Sequence, residues 1–121
     1  MRRMRWLMIL VLLAGVRVEG LHAGEIERIQ SKGEIVVSIN RDYPPFAMSI
    51  DGHPVGLDID LATLMAEYLG VAVRFIQPET YDQQIPKLLA GESDIIIAAM
   101  TRTVERGLQV RFTDPYYTVS Q

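Results

Sequence analysis

Gly56–Gly70, GLDIDLATLMAEYLG, is the stretch on which the reading of this chain turns. It opens and closes with glycine and carries two carboxylates in its first turns. Leu61, Leu64, Met65 and Tyr68 recur at helical spacing, and Leu57 and Leu69 extend the apolar stripe, which predicts an amphipathic helix with that stripe inward. Asp58 and Asp60 sit where negative charge offsets the partial positive charge of a helix N-terminus; taken alone they read as helix-starting, solvated side chains. Gly70 suits the left-handed residue that ends a helix.

Upstream, residues 25–32 (EIERIQSK) predict a short amphipathic helix with Ile26 and Ile29 inward, stopped by Gly33. Glu34–Ile39 is rich in β-branched residues and reads as a strand. The loop Asn40–Phe46 follows, stiffened by Pro44 and Pro45. Ala47–Ile50 predicts a second short strand, Asp51-Gly52 a two-residue turn, and His53–Val55 returns the chain to Gly56.

Downstream, Ala72–Ile76 predicts a strand and Thr80–Ala90 a helix, with Pro86 tolerable near its first turn. Asp94–Ala99 is the apolar run of a strand buried on both faces of a parallel sheet. Thr101–Gly107 reads as a turn and short helix, Gln109–Thr113 as a further strand, and Asp114–Tyr117 (DPYY) as a turn. Strands alternating with helices give an α/β class with a mostly parallel sheet. The chain stops at Ser120-Gln121 where a strand would continue, so it is expected to be the front part of a longer protein.

The first residues, MRRMRWLMILVLLAGV, combine three arginines with an apolar run too short to span a bilayer comfortably. They read as a secretory signal over residues 1–23, cut after Ala23 or Gly20, with an uncleaved membrane anchor as the alternative. With no cysteine in the chain there is no lipoprotein anchor and no disulfide. Without residues 1–23 the chain keeps 8 basic and 14 acidic side chains, a net charge of −6. Such a domain lacks the basic stripe that nucleic acid needs and the polybasic patch of a membrane-surface protein.

Enzyme signals are scarce. His53 is the one histidine outside the leader, and it reads as an exposed turn residue rather than a base. No credible zinc ligand set and no glycine-rich phosphate loop is present, so neither metal nor cofactor is expected. Binding signals are better, because in an open α/β sheet ligands sit beyond the carboxyl ends of the strands. Two segments fall there. Asn40–Phe46 offers Tyr43 and Phe46 as a flat apolar wall, although both could equally be core lids. Ala99–Arg106 offers the Thr101 hydroxyl, backbone N–H groups at a helix start, and Arg106 about one turn in. A guanidinium beside such amides can receive a carboxylate. Arg106 could instead pair on the surface with Glu105 or Asp114, and Thr101 could simply cap the helix.

Taken together, Gly56-Leu57-Asp58-Ile59-Asp60-Leu61 with Met65, Ala66 and Leu69, DYPPF at 42–46, GESDIII at 91–97, Thr-x-Thr-x-x-Arg at 101–106 and FTDPYY at 112–117 resemble the family 3 bacterial solute-binding proteins, the extracytoplasmic receptors of polar amino acid ABC transporters. The resemblance covers roughly residues 25–121. It implies the first lobe of a type II periplasmic-binding-protein fold, incomplete here because the second lobe is absent, in a monomeric periplasmic receptor. Its partners would be an amino acid or similar small carboxylate and an ABC permease, and no covalent chemistry is expected. It also implies roles: Tyr43 and Phe46 against the ligand side chain, Asp42 at the rim, Ala99 and Thr101 bonding the head group, and Arg106 bridging to the α-carboxylate. Asp58 and Asp60 would be structural or interlobe. Arg102 departs from the family pattern, as do Ala98 and Ala99, which stand where some members place serine or glycine. These residues alone are expected to bind ligand weakly or not at all. A sensor domain of a membrane histidine kinase or cyclase, the binding module of a lytic transglycosylase, and a cyclohexadienyl dehydratase share the same motifs and are the alternatives.

Overall fold

The structure is a computed structural model that describes residues 24–119; the expected secretory signal lies outside the described residues. Helix α1 (Gly24–Lys32) leads into β1 (Glu34–Ser38). A hairpin of β2 (Met48–Ile50) and β3 (His53–Val55) follows, then α2 (Leu57–Leu69) and β4 (Ala72–Ile76). A 3-10 turn (Tyr81–Gln83) runs into α3 (Gln84–Leu89), followed by β5 (Ile95–Ile96) and the single-turn α4 (Val104–Gly107). The main sheet has the order β4-β1-β5 and is parallel throughout, with Val37 opposite Phe75 on one side and Ile95 on the other.

Parallel strands send their carboxyl ends to one edge. The loops after β1, β4 and β5 therefore emerge together, and β1, flanked on both sides, is where the chain switches direction across the sheet. Ile35 to Ser38 of β1 and Ile39 just after it are all buried. Ile35, Val37 and Ile39 form the core with Ile29 of α1, Ala47, Ile97, and Ile59, Ala62 and Ala66 of α2.

α2 starts where expected, for a reason of backbone packing. The amides of Leu57 and Asp58 donate to the carbonyls of Pro45 (3.1 Å) and Phe46 (2.9 Å). A Cβ on Gly56 would sit 2.8 Å from the Pro45 oxygen and closer still to the Phe46 carbonyl, at a φ of 129°. The close approach that satisfies the helix's first amides thus requires glycine. At the other end Gly70 is left-handed, with φ 71°.

The buried face of α2 differs from the expected stripe. Leu61, Met65 and Leu69 do pack on the core, but Leu57, Leu64 and Tyr68 are exposed, Tyr68 by 90%. Ile59, Ala62 and Ala66 face the sheet instead, roughly a third of a turn round the helix at 100° per residue. Small alanines let the helix sit close over the strands, a signal that a search for large apolar side chains passes over. Asp58 lies on that buried side and is wholly inaccessible, not solvated.

Three further expectations are corrected. Ile26 is 54% exposed, so α1 buries Ile29 alone. The apolar run after Asp94 pairs over only two residues at the edge of the sheet, where Ile95 and Ile96 are half-buried rather than covered on both faces. The chain bends at Ala98 and turns left-handed at Ala99, at φ 47°. Residues 109–113 form no strand. The amides of Gln109 and Val110 fold back onto the Arg106 carbonyl at 3.0 Å each, and among the described residues no strand pairs with this segment.

Candidate functional site

A cavity of about 560 Å³ opens at the carboxyl edge of the sheet. The β1 loop supplies Asn40, Arg41, Asp42 and Tyr43 to its lining. The β4 loop and 3-10 turn supply Pro78 to Tyr81, the β5 loop supplies Ala98, Ala99 and Thr101, and α4 supplies Arg106.

The floor is a buried polar joint. Gln84, 1% exposed, accepts from Ser38 Oγ at 2.5 Å and donates through Nε2 to the Ile39 carbonyl at 3.1 Å. It fixes the end of β1 against α3 with every partner satisfied. Arg41 reaches across from the β1 loop and donates to the carbonyls of Pro78 (3.1 Å) and Gln77 (3.2 Å), tying two of the three loops together.

Arg106 stands at the cavity with its guanidinium carbon 5.3 Å from the centroid of the Tyr81 ring, within cation–π range. Its Nη1 donates to the Thr101 carbonyl at 2.9 Å. Among the described residues it makes no ion pair with Glu105 or Asp114, so donors of its planar fork stay free toward the cavity. Thr101 does not cap α4. Thr103 does, its Oγ1 accepting from the Arg106 amide at 3.2 Å, which leaves the Thr101 hydroxyl exposed at the cavity.

Tyr43 is half-exposed and stacks on Phe46 at 5.5 Å with planes 16° apart. Phe46 is buried, meets Tyr117 edge-on at 5.0 Å, and does not line the cavity. The two rings expected to form one wall therefore split: Tyr43 faces the space and Phe46 backs it. Asp42 lies exposed at the rim. Ala99 lines the cavity, but its N–H already donates to the Tyr116 hydroxyl at 2.9 Å.

Five of the six residues singled out from the sequence thus meet at one cavity, and Phe46 stands behind it. Asn40, Tyr81 and Gln84 were not singled out. Asn40 lay inside the quoted loop without a chemistry of its own to mark it. Tyr81 and Gln84 belong to a segment that the sequence reads as a helix without marking any of its side chains.

Burial raises the Tyr81 hydroxyl above its ordinary range, against the pull of the nearby Arg106 charge. Burial also raises the Asp58 carboxyl, only partly offset by the bond from Tyr116, and raises Tyr116 itself. Among the described residues no group of three or more His, Cys, Asp or Glu is placed to hold a metal ion. No helix among them is long and apolar enough to cross a membrane.

Comparison with known proteins adds the family. The chain is 37% identical over 113 residues to "Membrane-bound lytic murein transglycosylase F" of Aliivibrio fischeri, a match spanning 93% of this chain and 23% of that protein. It is 35% identical over 82 residues to the "L-arginine-binding protein" of Pseudomonas aeruginosa, covering 67% of this chain and 31% of the other. It thus spans less than half the length of these curated relatives. Among solved structures, the "arginine-bound form of domain 1 from TmArgBP" superposes with a TM-score of 0.72 at 42% identity, covering 74% of this chain and 71% of that one. The model of the family described as "Bacterial extracellular solute-binding proteins, family 3" matches residues 35–121, and the chain belongs to that family.

Proposed function

We propose that this chain is the ligand-receiving first lobe of a periplasmic receptor for a cationic amino acid, with L-arginine the leading candidate, and that it serves an ABC permease. The observation that carries the reading is Arg106. Its guanidinium stands over Tyr81 at the carboxyl edge of a parallel sheet, with donors left for a carboxylate. An α-carboxylate anchored there directs the rest of the ligand between the rings of Tyr43 and Tyr81 toward Asp42 and Glu79, which carry the opposite charge. Apolar ring faces with acidic groups beyond them suit a long cationic side chain. The relatives described as arginine-binding agree with that chemistry. A secretory signal over residues 1–23 and a second lobe outside this chain belong to the same reading.

Capture by such receptors ends with two lobes closing on the ligand, so one lobe alone makes only part of the contacts. That domain 1 of TmArgBP is found in arginine-bound form supports ligand binding by a first lobe on its own. For this chain the expected affinity for L-arginine is weaker than about 1 μM. An NMR titration against L-arginine, L-lysine, L-glutamine and L-cystine tests it. Saturable shifts at Tyr43, Thr101 and Arg106, strongest for L-arginine, support the reading. No saturable shift with any of the four overturns it, and equal binding of L-glutamine overturns the cationic preference.

One observation favours a second reading. The match to the transglycosylase of Aliivibrio fischeri runs over 93% of this chain. The lobe would then be the binding module at the front of a murein-cleaving protein. A coding sequence continuing beyond Gln121 into a second lobe and a muramidase-like domain with a catalytic glutamate would support it. A stop after the second lobe would remove it.

A further inference from the structure

One peptide unit in the cavity wall is held from both sides. The carbonyl of Ala98 accepts from Asn40 Nδ2 at 2.8 Å. The N–H on the other side of the same peptide bond, that of Ala99, donates to the Tyr116 hydroxyl at 2.9 Å. That hydroxyl in turn donates to Asp58 Oδ1 at 2.8 Å. Asp58 is wholly buried at the start of α2, and its Oδ2 has no partner among the described residues. Asn40, Ala98 and Ala99 line the cavity; Tyr116 and Asp58 do not.

Ala99 needs such holding. Its φ of 47° places an alanine in the left-handed region, where Cβ crowds the backbone. A residue stays there only when its surroundings over-determine it. Two residues further on, the Thr101 carbonyl takes the Arg106 guanidinium, so the path the chain follows through Ala99 sets where that guanidinium stands.

The geometry points to Tyr116 as a positioning residue: from behind the wall, oriented by Asp58, its hydroxyl fixes the Ala98–Ala99 peptide and thereby the Thr101–Arg106 arrangement that receives ligand. A hydroxyl suits this place because it accepts from an amide and donates to a carboxylate at once. Asp58 Oδ1 accepts the hydroxyl's hydrogen bond, which leaves a hydroxyl lone pair for the Ala99 amide. Burial and the Asp58 bond both raise the phenol, so it stays a proton donor at neutral pH. The inference rests on the ligand-binding reading of the cavity, but the hold on Ala99 is measurable without ligand.

Two measurements test it. In the ligand-free chain, Tyr116→Phe is expected to speed hydrogen exchange of the Ala99 amide at least tenfold while Val37 in β1 stays protected. Unchanged exchange at Ala99 overturns the hold. If Tyr116→Phe is too unstable, Asp58→Asn and Asp58→Ala replace it. The first keeps an oxygen for the hydroxyl and is expected to preserve protection at Ala99. The second is expected to lose it, and equal protection in the two is the contrary result. For ligand, Tyr116→Phe is expected to weaken L-arginine binding about tenfold, the order of one lost hydrogen bond. The loss should shrink when Ala99→Gly is also present, because glycine meets no left-handed penalty. An equal loss in both backgrounds contradicts positioning through Ala99. Failure of the parent chain to bind any amino acid removes the functional reading and leaves the exchange experiment to decide the hold.

Discussion

Asp94 and Asp58 are two carboxylates with little or no solvent access, and they mark two differently built regions. Asp94, just before β5, exchanges backbone and side chain bonds with Val36: each amide donates to the other residue at 2.8 Å. Its second oxygen takes Arg28 of α1 at 2.5 Å. Burial works against its ionisation, but the Arg28 bond and the Val36 amide outweigh it, and its carboxyl lies below the usual range. Asp58, behind the cavity, has one oxygen on Tyr116 and none on the other, and burial pushes its carboxyl up. The scaffold region satisfies its charge. The cavity region keeps an under-paired carboxyl, linked through Tyr116 to a left-handed alanine, the kind of local expense that collects at functional sites. Ser93 Oγ is also buried without a partner among the described residues, but it is neutral.

The contrast can be broken most forcefully at the junction of the two regions. Gly56→Val puts a branched side chain against the Phe46 carbonyl at a φ that side chains avoid. It is expected to destabilise the fold by about 3 kcal/mol or more, read from the denaturant midpoint. Gln84→Ala leaves the Ser38 hydroxyl and the Ile39 carbonyl buried without partners, and a loss of about 2 kcal/mol is expected. The two carboxylates should separate by pH. The lowered carboxyl of Asp94 contributes stability above its unfolded value, and that contribution is lost as pH falls below about 4. The raised carboxyl of Asp58 does the opposite: its contribution is present in acid and is lost as pH climbs through its folded value. Thermal melts across pH should show Asp94→Asn losing stability mainly on the neutral side, and Asp58→Asn flattening the decline from acid toward neutrality. The smallest effect is expected at Tyr68→Ser, since that ring is 90% exposed on the outer face of α2: within about 0.5 kcal/mol of the parent.

The sequence disclosed best what depends on local chemistry. β-branched runs placed β1 and β4, Gly56 and Gly70 bounded α2, and Asp51-Gly52 gave the hairpin. Large apolar side chains misled wherever close approach mattered more than area, which is why α2 turns Ala62 and Ala66 inward and leaves Leu64 and Tyr68 out. At the cavity, Arg106, Thr101, Tyr43, Asp42 and Ala99 stood in two segments that strand ends bring together. For Phe46 the sequence leaves wall and core lid open, because an aromatic beside two prolines reads equally as either, and the fold takes the second. Asn40, Gln84 and Tyr116 are not marked by the sequence because each acts through a backbone group or side chain far along the chain; Asp58 reads as structural, but its burial and its bond to Tyr116, 58 positions away, do not show locally.

The account centres on Arg106 as the receiver of a ligand carboxylate, and an NMR titration of L-arginine into the parent chain and Arg106→Ala tests that most directly. A loss of affinity of about a hundredfold, with the thermal midpoint unchanged and only partial recovery in Arg106→Lys, is the expected result. Equal binding by the parent and Arg106→Ala would contradict it.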